Sequence, residues 1–466
     1  MRDRVNKEDY EVMRGGSWPS WEEFLSGKDS ESAEVNEEIK QFINTYAPLG
    51  KVFPIVTETS CLSKWNSSSL YLPLGQTSSC CLADNLDLTL DNFDNFHNLP
   101  RKIEDRELML QGKWPTSGCE HCIHVEAEDG FSERLDSNQT RGSTPVELEL
   151  DPTATSVTPT NLDIFVNNTC NFSCLYCSET LSSQIQNENK KFGTFNQNGV
   201  VINSGDIPIN DSVQDQMFIK LIRWLDNNIS KLKRLYLLGG EPFLQHDLLS
   251  EIFSILDKNP RPQLELAMFS NMNVPEKYWR KYTSKVKELA LTGKIKRFDL
   301  IGSIDCWGHE ASYVRRGLDL DILDRRLMWA SQQEDWLHLH ISATMVPMSI
   351  KTLPDLIAKI ATYSKNKEIS ARFMFVSNEP RPYLHPEIFK YSTWGDSFNR
   401  CYQEMDKIDN IDPTAKERLQ GLDRYLQSIV KNDQDQIKKL HTYLDELDRR
   451  RGTNWRELFP YLDVHE

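Results

Sequence analysis

The chain has 466 residues, of which 39% are hydrophobic, and this is enough apolar sequence for two or three domains with buried cores. Its net charge of −15 excludes a nucleic-acid-binding protein that neutralises phosphates, because such binding needs an excess of lysine and arginine. No apolar run reaches the roughly 18 residues of a membrane-spanning helix, and the charged N-terminus carries no signal peptide. We therefore expect a cytoplasmic protein whose ten cysteines serve metal or redox chemistry, with no membrane and no nucleic acid among its partners.

The first 160 residues divide into three segments. Residues 1–45 are polar and charged, and we predict a peripheral segment with short helices over 18–25 and 34–46. Residues 46–127 form a cysteine-rich domain. Residues 128–160 are rich in serine, threonine and proline, and we predict a linker with one edge strand over 146–150. The thiols of the cysteine-rich domain are Cys61, Cys80, Cys81, Cys119 and Cys122.

The spacing of these thiols indicates one closed metal site. The apolar run 70–74 leads to Gly75, a pattern typical of a hairpin with glycine at its turn. Because a hairpin brings its two ends together, Cys61 and Cys80 would be neighbours. The Cys-x2-Cys pair that ends the segment adds two more thiolates. Both an iron–sulfur cluster and a four-cysteine zinc ribbon fit such a set.

From residue 161 the pattern changes to strands that alternate with helices, which favours a parallel sheet. The predicted strands are 162–166, 234–238, 263–269, 298–304, 338–344 and 372–376. The predicted helices between them are 215–227, 248–256, 276–289, 318–330 and 353–364. We predict an α/β domain over residues 161–384. Residues 385–466 follow as amphipathic helices, because their apolar residues recur at i, i+3 and i+4.

A second cysteine set follows the first strand of this domain. Cys170, Cys174 and Cys177 form a Cys-x3-Cys-x2-Cys run directly after the strand over 162–166. Three thiolates on one loop suit a polynuclear centre with one iron left open for chemistry, whereas a structural zinc site needs a fourth protein ligand. Buried thiols and a zinc knuckle are the alternatives. The polar segment 181–208 that follows is expected to be a loop, either an active-site lid or a disordered insertion.

The Cys-x3-Cys-x2-Cys run resembles the signature of the radical S-adenosylmethionine (radical SAM) enzymes. The resemblance implies that the three cysteines hold a [4Fe-4S] cluster whose open iron chelates S-adenosylmethionine. Reductive cleavage then gives methionine and a 5'-deoxyadenosyl radical, which abstracts hydrogen from a substrate. It also implies a partial (β/α)6 TIM-type barrel over residues 161–384, and a place near the adenine for Tyr176, which precedes the last ligand.

The cysteine-rich domain resembles the twitch or SPASM type of auxiliary domain of this family. Cys61, Gly75 and Cys80 match its Cys-x(9–15)-Gly-x4-Cys half, and this spacing favours Cys80 over Cys81 as ligand. The resemblance implies a second [4Fe-4S] cluster on four cysteines, here placed before the barrel rather than after it. His121, inside the closing pair, is expected to be solvated. The implied ligands are Cys61, Cys80, Cys119 and Cys122.

Further motifs follow the predicted strands, at the edge where such barrels carry their chemistry. Gly239-Gly240-Glu241-Pro242 resembles the GGEP motif that binds the SAM amino group in this family. Ser270-Asn271 resembles the contacts to the SAM ribose or carboxylate, with a helix N-cap as the alternative. Ser303 and Asp305 resemble a Ser-Ile-Asp motif that faces SAM or substrate. The implied contact to the SAM carboxylate falls on Arg315 or Arg316, and we choose Arg315.

Cys306 follows the Ser-Ile-Asp motif, and its thiol has two interpretations. At a catalytic strand end it could donate a hydrogen atom to a substrate radical, as in radical peptide epimerases. Alternatively it is a small apolar filler, since a thiol packs like one. Cys401 lies in a helical run, and there we expect packing.

The resemblance implies a radical SAM enzyme with two [4Fe-4S] clusters, S-adenosyl-L-methionine and a reductant such as flavodoxin or ferredoxin. On family grounds we expect a peptide substrate that is crosslinked, oxidised or epimerised. The alternative enzyme is a radical SAM dehydrogenase of a small molecule. The alternative from another class is a non-catalytic metal-binding adaptor that uses both cysteine sets structurally.

Overall fold

The computed structural model describes residues 59–115, 118–127, 132–138, 155–202, 210–365, 367–377, 380–408, 410 and 412–464. The helices predicted within residues 1–45 and the edge strand predicted over 146–150 lie outside this range. The described chain forms two compact units. The first comprises residues up to Leu70 and those of Gln76–Leu162; the second comprises Tyr71–Gly75 and the residues from Asp163 onward.

The first unit is a short sheet with helices. Its elements are α1 (Leu62–Asn66), β1 (Ser67–Tyr71), β2 (Gln76–Ser78), β3 (Leu86–Asp87), α2 (Pro100–Leu110), α3 (Glu120–Ala127) and α4 (Glu133–Asp136). The strands are neighbours in the order β1-β2-β3, which confirms the predicted hairpin. The apolar run ends in a 3-10 turn, and Gly75 takes the left-handed conformation there with φ of 60°.

Residues 132–138, which fall within the predicted linker over 128–160, contain helix α4 and are hydrogen-bonded to residues 60 and 62 of the first unit. Ser132 caps α4 by accepting a hydrogen bond from the Leu135 amide, as serine commonly does at a helix start. The amide side chain of Asn138 then donates to the Ser60 carbonyl, 3.0 Å away, and accepts from the Leu62 amide at 2.9 Å. The polar composition of this segment is compatible with a loop, but its serine and asparagine side chains also form the helix cap and these hydrogen bonds.

The second unit is a mixed α/β fold with a large, mostly parallel sheet. Its strands are β4 (Asn161–Phe165), β5 (Ser173–Cys174), β6 (Phe195–Gln197), β7 (Val200–Ile202), β8 (Arg234–Leu238), β9 (Arg261–Ser270), β10 (Ile295–Ser303), β11 (Arg315–Arg316), β12 (Leu337–Met345) and β13 (Ser370–Phe375). The six predicted strands are all present, and they are neighbours in chain order, β4-β8-β9-β10-β12-β13. Every pairing from β8 to β13 is parallel. Sequential parallel strands joined by helices are the arrangement of a (β/α) barrel wall.

Helices connect these strands and cover the sheet. They are α5 (Ser183–Phe192), α6 (Asp211–Asn228), α7 (His246–Lys258), α8 (Glu276–Leu291), α9 (His309–Val314), α10 (Leu320–Ser331), α11 (Leu353–Tyr363), α12 (Gly395–Met405), α13 (Pro413–Gln427), α14 (Gln434–Arg451) and α15 (Trp455–Leu458). In β12 every second side chain, from Leu337 to Met345, is buried. Each such apolar side chain contributes about 1.5–3 kcal/mol when it leaves water. The C-terminal helices belong to the same compact unit as the sheet.

The loop expected over residues 181–208 is wrong in its described part. The Ser182 hydroxyl caps α5 by accepting from the Ile185 amide, and β6 and β7 form a hairpin. Asn198 and Gly199 have φ of 52° and 77°, which is the two-residue turn that Asn-Gly favours between antiparallel strands. That dipeptide was the signal that the sequence analysis overlooked. No helix among the described residues is both long enough and apolar enough to cross a membrane.

Candidate functional site

The three-cysteine loop, which we define as residues 168–177, begins after β4 and is fixed by β11. Its strand β5 pairs antiparallel with β11, so that Cys174 lies opposite Arg315. The Leu175 amide donates to the Val314 carbonyl at 2.8 Å. The Phe172 amide faces the Cys170 sulfur at 3.4 Å, as amides do around metal-bound thiolates. The loop is therefore held on both sides of its central cysteine.

The three thiols of this loop are near enough to influence one another's pKa, although their sulfurs do not all lie within 4.8 Å of one another. The pKa of Cys170 is raised to about 12, mainly by burial and then by the charges of Glu241, Cys174 and Cys177. Burial likewise raises the pKa of Cys177 to about 12, with Cys174 as the next cause. Crowded, half-buried thiols that resist ionisation alone become thiolates when a cation binds them. This donor set fits an iron–sulfur centre.

The glycines of the Gly-Gly-Glu-Pro motif lie directly against the three-cysteine loop. Gly239 and Gly240 have φ of 77° and 51°, a conformation that favours glycine. A Cβ at Gly240 would stand 2.3 Å from the Thr169 carbonyl oxygen, closer than any side chain tolerates. The next amide, of Glu241, donates to that same carbonyl at 2.8 Å. Glycine is thus required at position 240, where the end of β8 meets Thr169, the residue before Cys170.

The Glu241 carboxylate is buried and occupied by protein donors. It accepts hydrogen bonds from the Ser270 hydroxyl at 2.9 Å, the Asn271 amide at 2.7 Å and the Phe243 amide at 3.2 Å. Burial raises the pKa of Glu241 to about 7, although these donors lower it. Its side chain therefore ties the end of β8 to the end of β9, and it leaves the motif's backbone as the part that faces outward.

Asn271 links this turn to the three-cysteine loop. Its side-chain amide donates to the Asn171 side-chain oxygen at 2.8 Å, and Asn171 donates to the Asn273 carbonyl at 3.2 Å. Ser270 is buried and also accepts from the Met272 amide. The two residues predicted to contact SAM thus organise the strand end through protein partners.

Asp305, Arg315 and Tyr176 form one buried ionic network. Arg315 donates through Nε and Nη2 to the two carboxylate oxygens of Asp305, both at 2.9 Å. The Tyr176 hydroxyl and the Thr344 amide also donate to this carboxylate, each at 2.9 Å. Asp305 is 1% exposed, so its oxygens serve the protein rather than a ligand. This differs from the expected role, in which Asp305 faces SAM or substrate.

Arg315 and Arg316 lie in different surroundings. The free nitrogen of Arg315, Nη1, is 3.9 Å from the Cys174 sulfur, and the guanidinium stacks 5.6 Å from the Tyr176 ring centroid. The Arg316 side chain is 44% exposed and lies 3.9 Å from Glu188. Of the two candidates, Arg315 is the one beside the cysteines. Ser303 is half-buried at the last position of β10.

Helix α14 supports the three-cysteine loop from the C-terminal region, a feature that the sequence analysis missed. The Tyr443 hydroxyl donates to the Leu175 carbonyl at 2.6 Å. Arg381 donates to the Cys177 carbonyl at 3.1 Å, and to the Tyr443 oxygen at 3.4 Å. At the end of α14, Arg450 donates to Asn189 of α5 at 3.0 Å. The partners of these bonds lie between 62 and 268 residues apart in sequence, so no local pattern could reveal them.

The remaining cysteines of the second unit are buried. Cys306 is 0% exposed, burial raises its pKa, and its thiol lies beside Thr352. This burial favours the packing alternative over a thiol that meets a substrate. Cys401 is buried in α12, in line with its expected packing role.

In the first unit, four cysteines line one pocket: Cys61, Cys80, Cys119 and Cys122. Burial raises the pKa of Cys61 to about 11, with Cys80 as the next cause. The pKa of Cys119 is raised to about 12, mainly by burial, with Cys61 and Cys80 acting in the same direction. Cys81 is exposed and does not line the pocket, whereas Cys80 does. The four thiols share one pocket, although no three of their sulfurs lie within 4.8 Å of one another, and an all-thiol set is typical of an iron–sulfur cluster or of zinc.

Arg134 lines this pocket and is paired with Glu126. Both carboxylate oxygens of Glu126 accept from Arg134, which also donates to the Ser60 carbonyl at 3.0 Å. Helix α3, which carries Cys122, is thereby joined to the residue before Cys61. His121 lies exposed at the pocket, as expected.

A third group of potential ligands lies on β10 and β12. Asp299, His338 and His340 present ligand atoms within 4.8 Å of one another. However, Arg297 donates to Asp299 through Nε at 2.8 Å and also lies 2.9 Å from Glu265. Because a guanidinium occupies the carboxylate, we interpret this group as an ion-pair network inside the sheet rather than as a metal site.

No protein-family model and no curated protein matches the chain. Two solved structures are similar to parts of it. SuiB of Streptococcus suis, bound to S-adenosylmethionine, aligns with 66% of this chain and 65% of its own, less than two thirds of its length, at 13% identity and a TM-score of 0.35. TYW1 with a lysine-pyruvate adduct bound aligns with 51% of this chain and 70% of its own, at 13% identity and a TM-score of 0.27. Because both TM-scores are low, we draw no functional conclusion from these structures.

Proposed function

We propose that this chain is a radical SAM enzyme whose cluster is held by Cys170, Cys174 and Cys177. The observation that carries the proposal is the close fit between the three-cysteine loop and the Gly-Gly-Glu-Pro turn. The Gly240 backbone approaches Thr169 so closely that only glycine fits, and the Glu241 amide donates to the Thr169 carbonyl. A structural metal site has no need of a glycine turn pressed against its first ligand at the end of a parallel strand.

A [4Fe-4S] cluster with S-adenosylmethionine supplies, when bound, the reductive cleavage that yields a 5'-deoxyadenosyl radical for hydrogen abstraction. The chain's own residues would bind these cofactors and orient them. We assign the SAM amino group to the partly buried backbone of Gly239 and Gly240, because the Glu241 side chain is occupied within the protein. Tyr176, Asn271 and Ser303 complete the proposed cofactor contacts.

Arg315 is assigned a positioning role in this proposal. Two of its nitrogens are fixed by Asp305, and the third lies 3.9 Å from the Cys174 sulfur. A guanidinium fixed in this way places a positive charge beside the proposed cluster ligand. Its bonds to Asp305 prevent the guanidinium from reorienting. The contact to the SAM carboxylate that the resemblance implies would be made by the same Nη1 atom.

The first unit is proposed to hold a second [4Fe-4S] cluster on Cys61, Cys80, Cys119 and Cys122. Their convergence on one pocket supports a closed metal site, and zinc is the alternative occupant. A reductant such as flavodoxin or ferredoxin would supply the electrons. The substrate class rests on the sequence resemblance: a peptide that is crosslinked, oxidised or epimerised, with dehydrogenation of a small molecule as the second candidate.

Formation of 5'-deoxyadenosine by anaerobically reconstituted protein, with dithionite and SAM, tests the proposal. We expect deoxyadenosine from the wild type and from Cys401→Ala, a control that removes a buried thiol outside both sites. Cys177→Ala should form none. An iron-loaded wild type that leaves SAM intact would overturn the proposal, and zinc without iron would favour the metal-binding adaptor.

A further inference from the structure

Three cations are buried in the first unit, and we call them the buried cation group: Lys64, which lines the four-cysteine pocket, Lys102 and Arg106. Lys102 is 1% exposed and Arg106 is 0% exposed. Transfer of a charged side chain from water into a protein interior costs several kcal/mol unless an opposite charge or a metal site compensates it. Two fully buried cations within one small unit therefore require an explanation.

The partners of Lys102 and Arg106 among the described residues are neutral. The Lys102 ammonium donates to the Ser68 hydroxyl at 3.0 Å, the Thr77 hydroxyl at 2.9 Å and the Ser78 carbonyl at 3.0 Å. Arg106 donates to the carbonyls of Lys64, His97 and Thr155 and to the Asn98 side-chain oxygen. These hydrogen bonds satisfy the donors, but they do not balance the charge.

Among the described residues of the first unit, Asp105 is the one acidic residue that is buried as a whole, and Glu133, which lines the pocket, has one buried carboxylate oxygen. It is already shared, because Lys64 lies 2.6 Å from one oxygen and Arg101 lies 2.9 Å from the other. Arg134, the remaining buried cation, is paired with Glu126. The described part of this unit therefore carries more buried positive than negative charge, and the excess lies on the buried cation group.

The excess charge faces the cysteines. Lys64 lines the same pocket as the four thiols. Although burial lowers the pKa of Lys64, Cys119 and Asp105 raise it above its ordinary value. Lys102 is bonded to the carbonyl of Ser78, two residues before Cys80. Burial and the charges of Arg106 and Lys64 lower the pKa of Lys102 well below its usual range, whereas Asp105 and then Cys80 act in the opposite direction.

We propose that the four-cysteine pocket holds a dianionic metal–thiolate centre, and that Lys64 and Lys102 are positioning charges that compensate it. Four thiolates around a [4Fe-4S] cluster or around zinc both carry this net charge. The compensation is mutual: the centre makes the buried ammonium groups tolerable, and they retain the centre. The proposal rests on the auxiliary centre of the proposed function, and it is independent of SAM cleavage.

The test uses the full chain with Cys170, Cys174 and Cys177 replaced by alanine, so that only the four-cysteine pocket can hold a centre. In this background we compare Lys102→Met with Lys113→Met, a control that removes an exposed lysine of the same unit. Thermal unfolding is measured for metal-loaded and metal-free protein. Loss of the bonds to Ser68, Thr77 and Ser78 affects both states alike, so the metal-dependent rise in Tm isolates the charge effect.

We expect the metal-dependent rise in Tm to shrink in Lys102→Met and to stay unchanged in Lys113→Met. Release of metal to a chelator should be about tenfold faster in Lys102→Met. When the centre contains iron, its reduction potential should fall, because the reduced centre carries one more negative charge. Lys102→Arg, which keeps the charge, should restore part of each property.

If Lys102→Met lowers the Tm equally with and without metal, and metal release keeps its rate, then Lys102 has only a structural role. That result would overturn the proposal. Failure of the background protein to bind metal in the pocket would also overturn it. If Lys102→Met does not fold, Lys64→Met provides the same comparison, because Asp105 keeps Arg101 as its partner. Deoxyadenosine formation is measured separately on the wild type, so failure of the radical SAM proposal is distinguishable.

Discussion

The buried positive charges near the three-cysteine loop of the second unit and near the four-cysteine pocket of the first unit differ in how they are balanced. Beside the loop, the Arg315 guanidinium is balanced by the Asp305 carboxylate, and its third nitrogen reaches the Cys174 sulfur. Around the pocket, Lys102 and Arg106 have neutral partners among the described residues. The charge beside the loop is thus balanced within the protein, whereas the charge beside the pocket is one that the proposed metal–thiolate centre would balance.

The two proposed metal centres also differ in their number of thiol ligands. Three thiols leave a metal position for a substrate or cofactor, and four thiols close the site. An open centre needs a rigid frame of protein contacts, which the Gly240 turn, Asn271 and Tyr443 provide. A closed centre needs charge balance more than access. The predictions below test each half of this comparison.

Gly240→Ala should have the largest effect, because it disrupts the frame of the open site. Its Cβ would stand 2.3 Å from the Thr169 oxygen at a φ of +51°. We expect loss of iron from the three-cysteine loop and destabilisation by about 3 kcal/mol or more. The matched control is Gly293→Ala, whose φ is +71° with nothing within 4 Å, and which should cost about 1 kcal/mol through strain alone. Iron content and Tm are the measurements, and equal effects of the two variants would contradict the account.

Cys80→Ala and Cys81→Ala separate the two adjacent thiols at the closed site. Cys80 lines the pocket and Cys81 is exposed. We expect Cys80→Ala to halve the iron, from about eight to about four atoms per chain, since each cluster holds four. Cys81→Ala should keep the wild-type iron content. The reverse order would move the ligand to Cys81.

Arg315→Met tests the balanced charge beside the open site. It leaves the buried Asp305 carboxylate with the Tyr176 hydroxyl and the Thr344 amide, and it should cost about 3–5 kcal/mol. Arg316→Met, at a side chain that is 44% exposed, should change stability by less than about 0.5 kcal/mol. Denaturant unfolding of both variants decides the matter. A mild effect of Arg315→Met would mean that Asp305 does not depend on this pair.

Glu241→Gln tests whether the buried carboxylate of the Gly-Gly-Glu-Pro turn makes the stability of the protein depend on pH. Burial raises the pKa of Glu241 to about 7, so its contribution to stability is present at low pH and is lost as pH rises through that value. We expect the Tm of the wild type to fall by a few degrees between about pH 4.5, the ordinary pKa, and about pH 7, and to level off above it, relative to Glu241→Gln, which does not ionise. Parallel Tm curves for the two proteins would show that the surrounding amides hold the carboxylate ionised throughout.

Cys306 gives the smallest expected effect. Because this thiol is fully buried, Cys306→Ala should cost about 1 kcal/mol. In native protein, an alkylating reagent should label the exposed Cys81 and spare Cys306. Rapid labelling of Cys306 would instead place it at an accessible site and restore its role as a hydrogen-atom donor.

The elements of the second unit could be predicted from sequence because hydrophobic periodicity is local. The strand over 234–238 was predicted with the bounds that it has, and the others differ by three residues or fewer. The convergence of Cys170, Gly240 and Asn271 followed from parallel strands, whose carboxyl ends share one edge. The Asn198-Gly199 hairpin carried a local signal that was missed.

The charge networks could not be predicted, because they depend on partners distant in sequence. Lys102 lies in a highly charged helix, and such a pattern is typical of a solvated surface, yet its ammonium reaches Thr77 in the core. Tyr443 meets the Leu175 carbonyl across 268 positions. Asp305 resembled a ligand contact because its motif is known for one, but the motif cannot reveal that Arg315 occupies both oxygens. Tertiary packing, rather than residue type, decides these roles.

Electron paramagnetic resonance of two reduced variants tests the central claim most directly. One variant lacks Cys170, Cys174 and Cys177, and the other lacks Cys61, Cys80, Cys119 and Cys122. We predict an iron–sulfur signal from each, with S-adenosylmethionine changing only the signal of the variant that keeps the three-cysteine loop. A signal that SAM alters in both variants, or in neither, would contradict the division into one open and one closed centre.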